Sequence, residues 1–86
     1  MTASVSADEC REHFAYCVQL FGGTTACSRR LGIDERAIRR FINGEKPLGP
    51  GLLDDTAKAL RLLIAEASTA EEQIVAALSM TTIDPS

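Results

Sequence analysis

Glycines set the grain of the first half of this chain. Gly22-Gly23, Gly32 and Gly44 cut it into short pieces, and within each piece the apolar residues recur at helical spacing. Cys10, Phe14, Cys17 and Phe21 stand at i, i+4, i+7 and i+11, with Val18 beside them, so one stripe of an N-terminal helix is apolar. Ile38, Phe41 and Ile42 repeat at i, i+3 and i+4, which turns Arg36, Arg39, Arg40 and Asn43 to the opposite side. No stretch reads as a strand. The chain is therefore expected to be all-α, a compact domain of four or five helices.

Residues 1–7 are small and polar and read as a tail. Asp8 and Glu9 place acid at the positive end of the first helix dipole, and Gly22-Gly23 closes that helix. Thr24 is the expected N-cap of a second helix over about 24–31, ended by Gly32. Asp34 is the expected N-cap of a third, stopped by Asn43-Gly44. GEKPLGPG, residues 44–51, holds two prolines and three glycines and reads as loop. From Leu52 a longer helix follows, with Leu53, Ala57, Leu60 and Ile64 on one face and Leu52, Ala59 and Leu63 widening it. At Ala67–Ala70 the pattern forks. Ser68 with Glu71, or Thr69 with Glu72, makes a capping box that would begin a fifth helix, and a single helix running through to Met80 fits equally well. Residues 81–86, TTIDPS, read as a second tail.

Eighty-six residues suit one domain, here 8–80, with helices over 52–80 forming its C-terminal part. Tryptophan is absent and Tyr16 with three Phe supply the aromatic bulk, so a core of Leu, Ile and Ala in so short a chain has little stability to spare. No apolar run approaches the ~20 residues that span a bilayer, and MTASVSADEC lacks the basic and apolar regions of a signal peptide. A cytoplasmic protein with no membrane role is expected. Three cysteines, an odd number without an export signal, argue against a disulfide framework. Cys10, His13 and Cys17 stand near one helical face and Cys27 could complete a zinc set, but two of them lie on the Phe14–Phe21 stripe, where cysteine packs as a small apolar residue. No metal, cofactor or small-molecule ligand is expected. Nor is an enzyme: the one histidine has no nucleophile at a motif spacing and no phosphate-cradling loop follows a strand.

The net charge of −3 is unevenly spread. Residues 24–46 carry Arg29, Arg30, Arg36, Arg39, Arg40 and Lys46 against Asp34, Glu35 and Glu45, a local charge of +3. Elsewhere three basic residues face nine acids, leaving −6. Phosphate answers to the local field and not to the total.

Two short helices about a glycine turn, the second rich in arginine, have the layout of a DNA-reading helix-turn-helix. Thr24–Gly44 resembles that motif in Cro-like phage repressors and in bacterial regulators of the xenobiotic-response-element type. The family has a small residue in the first helix, Gly-apolar at the turn, an apolar residue and then an aromatic in the second helix, and Gly near its end. Ser28, Gly32-Ile33, Ile38, Phe41 and Gly44 take those places at the family's spacing. Ser28 stands where Ala is usual and Cys27 where Leu is usual. The resemblance implies a lambda-repressor-like fold and assigns base reading to Glu35, Arg36, Arg39, Arg40 and Asn43. Arginine can bond guanine O6 and N7 with both arms, Asn can pair with adenine, and Glu can accept from cytosine N4. Thr24 and Thr25, at a helix N-terminus, suit phosphate, as do Arg29, Arg30 and Lys46.

The expected function is a sequence-specific transcriptional regulator of bacterial or phage style, a repressor, binding a short palindromic operator in double-stranded DNA as a homodimer. One such motif reads few base pairs, and two copies on half-sites ~34 Å apart solve that. The surplus apolar surface of 52–80, including Leu52, Leu63, Ile74 and Leu78, is the expected dimer contact. The alternative is an adaptor on the same fold, an antitoxin-like or phage-encoded inhibitor that docks a protein through the arginine face. The acidic total charge keeps that reading open.

Overall fold

The computed structural model describes residues 7–80, which form four helices and no strand. They are α1 (Ala7–Phe21), α2 (Thr24–Leu31), α3 (Glu35–Asn43) and α4 (Pro50–Met80). The all-α expectation holds, and so do the three glycine boundaries. The tails expected at 1–7 and 81–86 lie outside the described residues, except for Ala7, which opens α1.

Phe14, Val18 and Phe21 of α1, Cys27 of α2 and Ile38 of α3 form the buried core. Phe14 and Phe41 meet edge to face, with ring centroids 5.9 Å apart, which joins α1 to α3. Leu52, Ala59, Leu60 and Leu63 of α4 pack onto this cluster from the side. Cys17 packs against it as well, and burial raises its thiol pKa. Cys27 is fully buried, its pKa pushed up to about 11 by burial first and the neighbouring Cys17 second, so it sits in the core as an uncharged apolar group.

The turn between α2 and α3 is fastened at both ends. Gly32 takes the left-handed conformation (φ 70°) and donates its N–H to the Ser28 carbonyl at 2.8 Å. The Ser28 hydroxyl donates across the turn to the Ile33 carbonyl. A serine here therefore adds a bond that alanine cannot make. Asp34 then caps α3, its side chain accepting from the Arg36 N–H at 2.9 Å.

The structure corrects three expectations. Thr24 is not a cap: Gly23 is the N-cap of α2, with no side-chain cap bond, and Thr24 is the first helical residue. The fourth helix begins at Pro50, inside the segment 44–51 read as loop. Proline suits a first helical position, where its missing N–H would have had no partner and its φ is already helical. The apolar face of α4 is also turned from the one expected. Leu52, Thr56, Ala59, Leu60 and Leu63 face the core, while Ile64 is 67% exposed. Thr56 can be buried because its hydroxyl donates to the Leu52 carbonyl at 2.7 Å.

The fork at Ala67–Ala70 resolves to one helix of 31 residues, about 46 Å long at 1.5 Å per residue. Its first half lies on the core, and every residue from Ile64 to Met80 is exposed. No described helix is long and apolar enough to cross a membrane.

Candidate nucleic-acid interface

Helix α3 is two-sided because its sequence is. Ile38 is fully buried, and Phe41 and Ile42 pack on the core beside it. The opposite face carries Arg36, Arg39, Arg40 and Asn43, all exposed, over two turns. A helix anchored along one side by Ile38 and Phe41 presents that row in a fixed direction. Four donor-rich side chains in a line can bond acceptors on a nucleic-acid groove or on an acidic protein surface.

Glu35 begins this helix but does not stand open with the row. Its Oε2 accepts from the Thr25 hydroxyl at 3.0 Å and its Oε1 from Arg39 at 3.3 Å. Glu35 thus ties the first turn of α2 to the first turn of α3 and orients Arg39. Both carboxylate oxygens of Glu35, expected to face a base, are engaged within the chain. Thr25 is exposed, with its hydroxyl engaged in that bond. Thr24 is half-buried at the start of α2. What α2 offers an anion is its backbone: its first intrahelical acceptor bond is Cys27 N–H to the Gly23 carbonyl, so the amides of residues 24–26 precede it.

The remaining expected phosphate contacts separate. Arg29 is exposed at the end of α2. Arg30 turns the other way: it pairs with Glu66 of α4 at 2.5 Å and lies over the Phe21 ring, 5.9 Å from its centroid. That guanidinium ties α4 to α2, on a different side of the domain from the α3 row. Lys46 follows the α3 C-cap, with its ammonium 5.6 Å from the centre of the Phe41 ring.

One residue was missed. Arg11, on α1, reaches the far end of α3, where its Nη1 stands 2.9 Å from the point a Cβ on Gly44 would occupy, and it pairs with Asp8 at 2.8 Å. Together with Lys46 it flanks a shallow groove also lined by Cys10, Phe41 and Leu48. No local pattern could have linked Arg11 to Gly44, because only the packing of α1 on α3 brings them together. The basic surface therefore continues past Asn43 to a residue thirty-two positions earlier in the chain.

Of the four expected dimer residues, Leu52 and Leu63 pack against the chain's own core. Ile74 and Leu78 are 62% and 69% exposed on the projecting half of α4. Among the described residues no three or more His, Cys, Asp or Glu side chains gather as a metal site. No family model, curated protein or solved structure matches this chain.

Proposed function

We propose that this protein is a sequence-specific DNA-binding regulator of the helix-turn-helix kind, a repressor that binds a palindromic operator as a dimer. The observation that carries the reading is the exposed row Arg36, Arg39, Arg40 and Asn43 on a short helix whose other side is locked by Ile38. The resemblance of Thr24–Gly44 to Cro-like and xenobiotic-response-element-type regulators supports it, as do the left-handed Gly32 and the Asp34 cap at the places the motif needs them.

In this reading α3 enters the major groove. Arg36, Arg39 and Arg40 reach guanine edges and Asn43 reaches adenine. Glu35 holds Arg39 in position. The N-terminal amides of α2, with Arg29, Arg11 and Lys46, grip phosphates on either side and fix the register. The acid outside this face weakens indiscriminate attachment, and an occupied operator keeps polymerase off the promoter. The protein works in the cytoplasm, where bacterial DNA lies.

The test compares binding of the natural chain with Arg39→Ala and Arg40→Ala on duplex DNA, over a range of salt. Each arginine that pairs with guanine through both arms is worth roughly 1–3 kcal/mol, and its loss relaxes specificity at one position. An arginine that holds phosphate weakens all sequences alike and lowers the salt slope by about 1. If the double variant binds with unchanged affinity and salt slope, α3 is not the reading helix. If the natural chain binds no DNA at low salt, the arginine row serves a protein partner and the adaptor reading replaces this one.

A further inference from the structure

Three arginines share the exposed row of α3, and one of them is held. Arg39 donates to Oε1 of Glu35 at 3.3 Å, and the Thr25 hydroxyl donates to Oε2 at 3.0 Å. Among the described residues, the guanidiniums of Arg36 and Arg40 pair with no acidic side chain. We propose that Thr25, Glu35 and Arg39 form one specificity unit. Arg39 carries most of the sequence choice by pairing with a guanine, Glu35 is its positioning residue, and Arg36 and Arg40 discriminate less. The assignment rests on the DNA-reading proposal and ranks the arginines within it.

The difference between the arginines is one of freedom. Phosphate oxygens take most protein contacts on DNA and carry no sequence. An unpaired guanidinium at Arg36 or Arg40 can turn to a base edge or to the nearest phosphate, and each choice costs it the same side-chain entropy. Arg39 has less choice. Turning to the backbone would break its contact with Glu35 and leave a bare carboxylate beside the phosphates. Pairing with a base keeps the contact, because a guanidinium has five N–H donors and Glu35 engages one. Guanine O6 and N7 need two more.

Glu35 can hold Arg39 because Glu35 is itself held. It opens α3 four residues before Arg39, the favourable order for an acid and a base on one helix. Thr25 fixes it from α2, across a turn set by the left-handed Gly32 and the bond from the Ser28 hydroxyl to the Ile33 carbonyl. In the free chain the pair is 58% and 36% exposed, so water keeps it weak. A DNA groove closing over it removes that water and strengthens it. The carboxylate also offsets the charge of Arg39. Arg39 therefore meets DNA chiefly through geometry, and Arg36 and Arg40 chiefly through charge.

The experiment measures binding to a duplex selected from a random pool, to its single-base-pair variants and to a scrambled duplex, over a range of salt. Arg39→Ala is expected to lose about 10-fold or more in discrimination at one base pair, with little change in salt slope. Arg36→Ala and Arg40→Ala should lower the salt slope by about 1 each. Glu35→Ala should lose discrimination at the same base pair as Arg39→Ala and bind the scrambled duplex more tightly, since a negative charge has left the interface. The double variant should lose no more than Arg39→Ala alone. Glu35→Gln, which keeps an acceptor for Arg39, should retain more discrimination than Glu35→Ala, and thermal midpoints confirm that each variant is folded. Glu35→Ala and Arg39→Ala acting on different base pairs, with losses that multiply, would show Glu35 reading a base itself and overturn the proposal. So would a greater loss of discrimination in Arg36→Ala or Arg40→Ala than in Arg39→Ala. A chain that binds duplex DNA without base preference overturns this assignment and leaves DNA contact standing, whereas one that binds no DNA at low salt overturns both.

Discussion

Replacing Gly32 with Ala tests whether the α2–α3 turn is set by backbone conformation alone. Gly32 has φ 70°, and an added Cβ would meet no atom within 4 Å. The substitution therefore adds no clash and removes no contact, and its whole effect is the left-handed conformation. A non-glycine residue in that region costs about 1–2 kcal/mol. Alanine also narrows the unfolded ensemble, which returns ~0.4–1 kcal/mol, so the expected net destabilisation is about 1 kcal/mol. For a domain of this size that is a fall in Tm of roughly 4–8 °C. Gly32→Asn should recover much of it, because Asn tolerates the left-handed region. Gly44→Ala offers a contrast: it has the same sign of φ, and its Cβ would meet Arg11 at 2.9 Å. It should cost at least as much as Gly32→Ala and free the Arg11 side chain. Urea and thermal unfolding, at one fixed protein concentration so that any self-association is held constant, give all three values. A neutral Gly32→Ala, or an Asn variant no better than the Ala one, would refute this account of the turn.

Two further predictions concern the core. Ile38→Ala empties a fully buried position at the centre of the α3 contact and should cost about 2–5 kcal/mol, with the loss of the arginine row's fixed direction as its consequence; near-native stability by urea unfolding would show that α3 is not held by that contact. Cys27, with its thiol at about 11 against an ordinary 9.0, keeps its proton in the folded chain while the unfolded chain loses it. Its contribution is thus fully present below pH 9.0 and lost as pH rises from there through about 11. Unfolding midpoints measured across that window should fall for the natural chain and fall less steeply in Cys27→Ala, where the half-buried Cys17 thiol remains, and parallel curves for the two would contradict the assignment.

Most of the first half of the fold was legible because each element there has a single solution. The Phe14–Val18–Phe21 stripe is the most continuous apolar face of its helix, Asp34 is the one good cap before α3, and Gly32 and Gly44 stand where a left-handed residue is required. Helix α4 was harder. It is apolar around much of its circumference, so 53/57/60/64 and 52/56/59/60/63 both read as stripes, and only contact with α1 and α2 selects the second. A buried threonine in that stripe hid the pattern further, since its self-satisfied hydroxyl does not look apolar in sequence. The exposed row of α3 was read correctly as exposed, whereas Arg30 and Glu35 were not separable from it. Their partners, Glu66 and Thr25, lie thirty-six and ten residues away. Periodicity says which side of a helix a charge leaves from, and not what it meets there.

The central claim is that the arginine row on α3 reads DNA, and selection of bound duplexes from a random pool tests it most directly. The account predicts a palindromic consensus with half-sites about one helical turn apart, bound with an affinity that falls steeply as salt rises. A pool that emerges unenriched, at salt low enough to hold any basic helix on DNA, would contradict it.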